Sequence, residues 1–171
     1  STAYLLTGSN LGKREVHLKN ALKDIILKAG TILRCSPVYE SPPWGFEHPV
    51  PFLNQALEIA TPLSPGELLN ALLSIEKKHG RERKSNGYSA RSLDIDILFY
   101  ENMVVNEQEL QLPHPRLHLR RFALLPLADI APRLFHPVLK KPVSELLDEC
   151  TDPSRVLTYS PSNCPEEGNK G

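Results

Sequence analysis

RSLDIDILF, residues 91–99, alternates apolar and acidic side chains over most of its length. A period of two is typical of a β-strand that buries one face, so Leu93, Ile95 and Ile97 are predicted to enter the core. Asp94 and Asp96 then lie on the other face, with Cα atoms about 6.5–7 Å apart. Two carboxylates at that spacing repel each other unless a cation lies between them or one is protonated. The strand therefore predicts a cation-binding face.

A basic segment precedes this strand. From Lys77 to Arg91 the sequence has six Lys or Arg and one Glu, a local charge of +5. Within it, Arg81, Arg83 and Lys84 stand close together; arginine binds phosphate oxygens in a bidentate manner and does not titrate near neutral pH. Carboxylates beside arginines suit a polyphosphate with bound Mg²⁺, which prefers hard oxygen ligands. The alternative, a solvated strand face next to an ordinary charged loop, stays open at this point.

Composition sets the broad class of the protein. The 171 residues contain 20 basic and 20 acidic side chains, and this balance gives no reason to expect nucleic-acid or membrane binding. The length predicts one domain, residues 1–150, and the Pro, Ser, Asn and Gly that follow predict a loosely ordered tail, residues 151–171. No apolar run is long enough to span a membrane and no signal peptide opens the sequence. We therefore expect a cytoplasmic monomer.

The three cysteines give a separate expectation. Cys35, Cys150 and Cys164 are widely spaced and odd in number. This arrangement argues against both a disulfide framework and a zinc site. We expect small buried or surface side chains at these positions.

The remaining patterns complete an α+β fold. Together with the Asp94 strand they give the order βαββαβ, which is the ferredoxin-like arrangement, with an antiparallel sheet and both helices on one face. Extra C-terminal helices follow, the first of them interrupted at Pro126. The predicted ranges are strands at 3–7, 31–39, 52–61 and 156–159, and helices at 12–29, 64–80, 119–130 and 143–150.

Two further groups of residues suggest ligand binding. Asn54 shares a strand face with Phe52, and an aromatic ring beside an amide can hold a flat heterocycle by stacking and hydrogen bonding. An ordinary strand start would have the same pattern, so both readings remain. No P-loop sequence is present; Gly8 to Gly12 predicts a tight strand-to-helix turn that could border a ligand.

A histidine lies among arginines later in the chain. His114 and His118 have the spacing of a helical metal pair, but prolines on both sides of His114 argue against a helix there and hence against zinc. His114 stands near Arg116, Arg120 and Arg121, so it could instead contact a phosphate; an ordinary loop histidine is the alternative.

Several of these segments occur together in one known family. In this order and spacing the chain resembles the 6-hydroxymethyl-7,8-dihydropterin pyrophosphokinase family of folate biosynthesis over about residues 3–148. A tyrosine, Tyr88, stands where some relatives have tryptophan. The resemblance rests on residues 8–12, 41–45, 52–54, 80–83, 91–97 and 113–116, with Arg120 and Phe122.

The resemblance implies a reaction and a set of roles. ATP would donate an intact pyrophosphoryl group to the pterin hydroxymethyl group, releasing AMP. On the donor side, Asp94 and Asp96 would hold two Mg²⁺ ions. Arg81 and Arg91 would clamp the phosphates and stabilise the transition state, with assistance from Arg83 and Lys84. His114 and Arg120 would contact ATP.

The resemblance also implies a pterin pocket. Asn54 would read the edge of the pterin ring, and Phe52 and Phe122 would enclose its faces. Backbone groups of Ser41 and Trp44 would complete the pocket.

Two other functions remain to be tested. A metal-dependent phosphohydrolase could use the same carboxylates, and it would release phosphate from ATP without any pterin. A ferredoxin-like RNA-binding module is the third possibility. Carboxylates on its sheet face would repel phosphate, and no RNP-like aromatic motif is present.

Overall fold

The computed structural model describes residues 1–43, 48–80 and 92–165. The secondary-structure elements of this part of the chain follow in sequence order. They are β1 (Thr2–Ser9), α1 (Arg14–Lys28), β2 (Thr31–Cys35), β3 (Val38–Ser41), β4 (Phe52–Ala60), α2 (Pro65–Lys78), β5 (Asp94–Tyr100), β6 (Val105–Asn106), β7 (Gln111–Leu112), α3 (Arg121–Ile130), β8 (Phe135–His136), β9 (Lys141–Pro142), α4 (Val143–Glu149) and β10 (Leu157–Ser160).

The main sheet has the strand order β10-β3-β4-β1-β5, and β2 also pairs with β4. Neighbouring strands are antiparallel. The predicted strand at 31–39 is two strands, because Ser36 and Pro37 interrupt it and proline has no N–H for the ladder. Ser36 still holds the two strands to β4: its N–H donates to the Ala56 carbonyl and its Oγ accepts from the Ala56 N–H, each at 2.9 Å.

Helices cover both faces of the sheet. The apolar faces of α1 and α2 pack against one face, where Leu93, Ile95 and Ile97 are buried as predicted. Helices α3 and α4 pack against the opposite face over Leu6 and Leu98. The structure is thus α+β, with helices beside an antiparallel sheet, as expected from the sequence.

The predicted start and end of α2 are confirmed. Ser64 caps the helix: its Oγ accepts from the Glu67 N–H at 3.2 Å, while Glu67 Oε1 accepts from the Ser64 N–H at 3.0 Å. Helix α2 ends at Lys78, and Gly80 follows with φ of +85°, a left-handed conformation that glycine adopts easily.

Two further expectations are wrong. Pro126 lies inside α3 without interrupting it; the helix loses one N–H donor there, and the proline ring is buried in the core. Cys35 and Cys164 form a disulfide although 129 residues separate them. Sequence spacing could not reveal this, since the pairing of β10 with β3 brings Cys164 to the sheet.

The tail makes specific contacts as far as residue 165. Strand β10 lies at the predicted edge position, and Asn163 Oδ1 accepts a hydrogen bond from Gln55 Nε2 at 2.8 Å. The division of the chain at residue 150 stays a prediction. No helix in the described part of the chain has the length and apolar character needed to cross a bilayer.

Candidate active site

One row of residues crosses the sheet and connects the predicted ligand-binding residues. Gly8 on β1 is paired with Asn54 on β4 and, on its other side, with Asp94 on β5. Directly paired residues in an antiparallel ladder point to the same face. Two strand spacings of about 4.8 Å therefore separate the Asn54 and Asp94 backbones, roughly 10 Å in all. The next row, Asp96 paired with Leu6, places the second carboxylate on this same face, toward α3.

Glycine is required at the centre of this row. A Cβ atom on Gly8 would lie 2.6 Å from Asn54 Nδ2 and 3.6 Å from a ring carbon of Phe52. The absence of a side chain at Gly8 leaves the space above it to the Asn54 amide. Gly8 lies within β1 and not in the predicted strand-to-helix turn. The sequence signal for this role is a glycine at the end of an apolar strand, which often marks a close approach.

The Asn54 amide is held in one orientation. Its Nδ2 donates to the Thr7 carbonyl at 3.2 Å, and Ser41 Oγ lies 3.5 Å from its Oδ1, a weak contact. Asn54 and Ser41 are buried, while Phe52 is partly exposed beside them. The structure thus brings together three of the predicted pterin-pocket residues.

The two carboxylates are half-buried on β5. Ile95 lies between them in sequence, and its backbone N–H donates to Glu76 Oε2 of α2 at 2.8 Å. Glu76 is 2% exposed, and a buried carboxyl group at this position was not predicted. The contact fixes the backbone of β5 at the residue that separates Asp94 from Asp96.

His114 approaches the carboxylates from the following loop. Its N–H donates to the Leu98 carbonyl at 2.9 Å, and its Nδ1 accepts from the Arg116 N–H at 3.2 Å. Burial, with a smaller contribution from the Arg120 charge, lowers the pKa of His114 to about 4, although Asp94 opposes the shift. The ring is therefore neutral at pH 7. Because Nδ1 accepts, Nε2 carries the proton and can donate to a ligand.

Arg120 faces both carboxylates. Burial lowers its pKa, and the Asp96 and Asp94 charges counteract this shift. The Arg120 Cζ lies 5.5 Å from the centre of the Phe122 ring, a cation–π distance. The guanidinium remains charged at neutral pH and connects the carboxylates to an aromatic residue predicted for the pterin pocket.

Other predicted residues are elsewhere. Arg121 is bound to the tail: its N–H donates to Asp152 Oδ2 at 3.0 Å and its Nη2 to the Cys150 carbonyl at 2.9 Å. This arginine is therefore occupied away from the carboxylates. Five predicted site residues and the Tyr88 position lie outside the described residues, namely Trp44, Arg81, Arg83, Lys84 and Arg91.

The donor set fits Mg²⁺ only in company with a ligand. Within residues 1–43, 48–80 and 92–165, no group of three or more His, Cys, Asp or Glu side chains could hold a metal ion. Asp94 and Asp96 supply two hard oxygen donors beside Arg120. Mg²⁺ commonly takes one or two carboxylates and completes its shell with water and substrate phosphates. The carboxylate pair fits that pattern.

Comparison with known proteins decides the family. The family model described as 7,8-dihydro-6-hydroxymethylpterin-pyrophosphokinase (HPPK) matches residues 4–132. The chain belongs to the HPPK family. The resemblance and the enzyme class predicted from the sequence are thereby confirmed, as is a role in folate biosynthesis.

Two curated HPPK relatives support the assignment. The chain is 44% identical over 142 residues to 2-amino-4-hydroxy-6-hydroxymethyldihydropteridine pyrophosphokinase of Porphyromonas gingivalis, covering 81% of this chain and 96% of the relative. It is 39% identical over 151 residues to the enzyme of the same name from Aquifex aeolicus, covering 88% and 93%.

A solved structure supports the fold. The crystal structure of wild-type Plasmodium falciparum HPPK-DHPS with pteroate matches with a TM-score of 0.69 at 17% identity, covering 86% of this chain. This chain spans 44% of the length of that longer protein. The match supports the arrangement of sheet and helices.

Proposed function

We propose that this chain transfers pyrophosphate from ATP to the hydroxymethyl group of 6-hydroxymethyl-7,8-dihydropterin and releases AMP, with two Mg²⁺ ions held by Asp94 and Asp96. The observation that carries the proposal is the row from Asn54 through Gly8 to Asp94. It puts an amide suited to a heterocycle about 10 Å, two strand spacings, from a carboxylate of the pair proposed to hold Mg²⁺. The glycine between them leaves room for the Asn54 amide.

The acceptor binds on the Asn54 side. The Asn54 amide has a donor and an acceptor for the polar edge of the pterin, and Phe52 beside it offers a stacking surface. Phe122 covers the other ring face from α3, and backbone groups of Ser41 and Trp44 complete the pocket. Burial of Asn54 and its hydrogen bond to Thr7 support this role, because they fix the amide before the substrate arrives.

The donor binds on the carboxylate side. Arg120 and the Nε2–H of neutral His114 contact phosphate oxygens of ATP; a pKa of about 4 keeps His114 a hydrogen-bond donor of unchanged charge across the neutral range. Arg81 and Arg91 clamp the phosphates and stabilise the transition state, assisted by Arg83 and Lys84, as the family resemblance implies. Mg²⁺, when bound, would neutralise phosphate charge between the two carboxylates.

The transfer needs positioning more than covalent help from the protein. The pterin hydroxyl oxygen bonds to the β-phosphorus of ATP, the bond from that phosphorus to the oxygen of the α-phosphate breaks, and the hydroxyl proton is released. Charge neutralisation and alignment supply most of the rate enhancement in such reactions. The shared face of Asn54 and Asp94, two strand spacings apart, supports an approach from the pterin side.

The finer features of the fold and state are part of this proposal. The strand order β5-β1-β4 followed by β2 and β3 supports a ferredoxin-like core. A cytoplasmic monomer that takes small-molecule substrates, without nucleic acid or membrane, remains our expectation.

A coupled assay for AMP tests the proposal. We expect AMP release that requires both Mg²⁺ and the hydroxymethylpterin, and a loss of at least about 1,000-fold in Asp94→Asn and in Asp96→Asn. Asp148→Asn changes an exposed carboxylate on α4 and is the matched control, with activity unchanged. Retained turnover in either site variant overturns the metal assignment.

The same assay distinguishes hydrolysis. Asp94 and Asp96 would also serve a metal-dependent phosphohydrolase, and ATP alone would then give rapid phosphate release. We expect no such release without the pterin.

A further inference from the structure

The last turn of α2 holds the start of β5 at two points, one on each side of Asp94. Ser92 Oγ donates to the His79 carbonyl at 2.6 Å, and the Ile95 N–H donates to Glu76 Oε2 at 2.8 Å. A backbone fixed on both sides leaves the intervening carboxylate little freedom to shift. The position of Asp94 therefore depends on the position of His79.

The His79 side chain is itself anchored to α1. Its Nε2 lies 3.1 Å from Asp24 Oδ2, and both side chains are nearly buried, at 8% and 6% exposure. Its Nδ1 lies 3.0 Å from Nδ1 of His17, which is also on α1. Lys78 supplies a second partner, with its Nζ 2.8 Å from Asp24 Oδ1. Four polar side chains thus meet between α1 and the end of α2.

The protonation of this group follows from its contacts. Burial by itself raises the pKa of Asp24, but hydrogen bonds from Lys78 and His79 outweigh it and lower the pKa, so the carboxylate is ionised at neutral pH. An ionised Asp24 accepts from His79 Nε2–H. Burial, with the neighbouring His79, lowers the pKa of His17, so His17 is neutral and its Nδ1–H can donate to His79 Nδ1. Each contact then has one donor and one acceptor.

Burying a carboxylate costs hydration free energy, and only hydrogen bonds and ion pairs within the protein compensate for that cost. The burial of Asp24 therefore suggests a specific role. None of these groups has a part in the proposed transfer. His79 is also two residues before Arg81, and Ser92 directly follows Arg91. The contact between His79 and Ser92, with its support from Asp24, is called the anchor below. In sequence, His79 and Ser92 flank the segment that contains the arginines proposed to clamp phosphate.

We propose that Asp24 and His79 are positioning residues: Asp24 fixes the His79 side chain, the His79 carbonyl fixes Ser92, and Ser92 holds Asp94 in the orientation that the transfer needs. This inference rests on the proposed role of Asp94. It predicts an effect on turnover that exceeds the effect on substrate affinity, because the pterin residues lie two strands away.

Two variants at one position test the anchor. His79→Leu keeps bulk but removes the donor to Asp24, whereas a glutamine amide can place its Nε2 close to the imidazole Nε2. We expect His79→Leu to lower kcat about tenfold with the pterin KM changed less than about twofold, and His79→Gln to keep kcat within about threefold of the wild type. Asp24→Asn, a second variant of unchanged shape, should lower kcat in the same way as His79→Leu.

Lys78→Met is the matched control. It removes the other Asp24 partner, whose side chain is 59% exposed, and leaves the His79 and Ser92 contacts in place. Its kcat should match the wild type. Equal kcat for His79→Leu and His79→Gln, or a pterin KM that rises as much as kcat falls, overturns the proposal.

Hydrogen exchange gives a readout that does not depend on activity. Amides of residues 92–98 should exchange faster in His79→Leu than in His79→Gln, because the start of β5 loses its support. Equal exchange in these variants overturns the positioning role even if the enzyme is active. A wild-type protein that makes no AMP would contradict the proposed function, and the exchange comparison would still decide whether His79 supports β5.

Discussion

The two edges of the main sheet are treated in opposite ways. At the β5 edge, the Ile95 N–H bonds to the Glu76 carboxylate and the Leu98 carbonyl to the His114 N–H. At the other edge, β10 pairs with β3 and forms a further strand. Unpaired edge groups invite association with other chains, and these contacts satisfy the outward groups of Ile95, Leu98 and the outer side of β3. The two edges differ in what contacts them. At β5 the contacts come from one side chain and one loop residue, whereas at β3 a whole strand, β10, is added.

The two edges also differ in their relation to the family. Residues 4–132 match the HPPK model, and this range includes β5, α2 and His114. Strand β10 and the Cys35–Cys164 disulfide involve residues beyond it. The β5 edge, which carries the candidate site, thus lies within the part of the chain that matches the family. The β3 edge, which β10 covers, depends on a segment outside that match. Breaking each edge separately should therefore affect different properties.

The largest effect on stability is expected at the covered edge. Cys164→Ser removes a cross-link between residues 129 apart, and we expect the free energy of unfolding to fall by about 2–4 kcal/mol under oxidising conditions. Denaturant unfolding with and without a dithiol reductant measures it: the dithiol is oxidised, the protein disulfide becomes two thiols, and the wild type should then resemble the variant. Cys150→Ser, at the free cysteine, is the control. Equal stability of wild type and variant without reductant would contradict the cross-link, and AMP formation should change little.

A smaller loss of stability with a larger loss of activity is expected at the β5 edge. Glu76→Ala leaves the buried Ile95 N–H without this acceptor, which should lower the free energy of unfolding by about 1–3 kcal/mol. The same contact fixes the backbone between Asp94 and Asp96. The fall in kcat should therefore exceed the fall expected from the larger unfolded fraction of the variant. Glu145→Ala, an exposed glutamate on α4, should leave both unchanged. A Glu76→Ala enzyme with wild-type kcat would mean that the β5 backbone needs no support from α2.

A variant at Gly8, between the two edges, tests whether the Asn54 amide needs the space above this glycine. Gly8→Ala places a methyl group 2.6 Å from Asn54 Nδ2, so the amide must move, and we expect pterin affinity to fall about tenfold, or about 1.4 kcal/mol. Calorimetric titration with the pterin measures it. Gly66→Ala is the matched control, because among the described residues its added Cβ meets nothing within 4 Å apart from its chain neighbours and its own helix backbone. Unchanged affinity in Gly8→Ala would remove Asn54 from the pterin pocket.

Local sequence patterns were sufficient for the β5 edge. The alternation from Leu93 to Ile97 predicted both faces of β5, and the capping box at Ser64 predicted the start of α2. These features depend on neighbours in sequence, where periodicity and capping chemistry apply directly. The family resemblance then supplied the assignment of Asn54, whose partner across the sheet is Gly8.

Features that depend on distant contacts were missed. Cys164 meets Cys35 only because β10 pairs with β3, and no spacing rule covers 129 residues. Buried Glu76 and Asp24 look like ordinary surface residues of helices until their partners, Ile95 and His79, are known. The register that opposes Gly8 to both Asn54 and Asp94 is likewise a property of three strands together.

The smallest expected effect concerns His114, the loop residue at the β5 edge. Its pKa of about 4 is below the ordinary value of 6.5, chiefly because of burial and secondly because of Arg120. Arg120→Met should therefore raise the pKa of His114 by less than about one unit, since burial persists. NMR titration of the His114 ring proton measures it. Because the unfolded chain binds more protons between pH 6.5 and about 4, this histidine lowers stability as the pH falls through that window and has no effect above it. A His114 that titrates near 6.5 in the wild type would contradict its burial beside the carboxylates, and its hydrogen-bond donor would then gain charge within the working range of the enzyme.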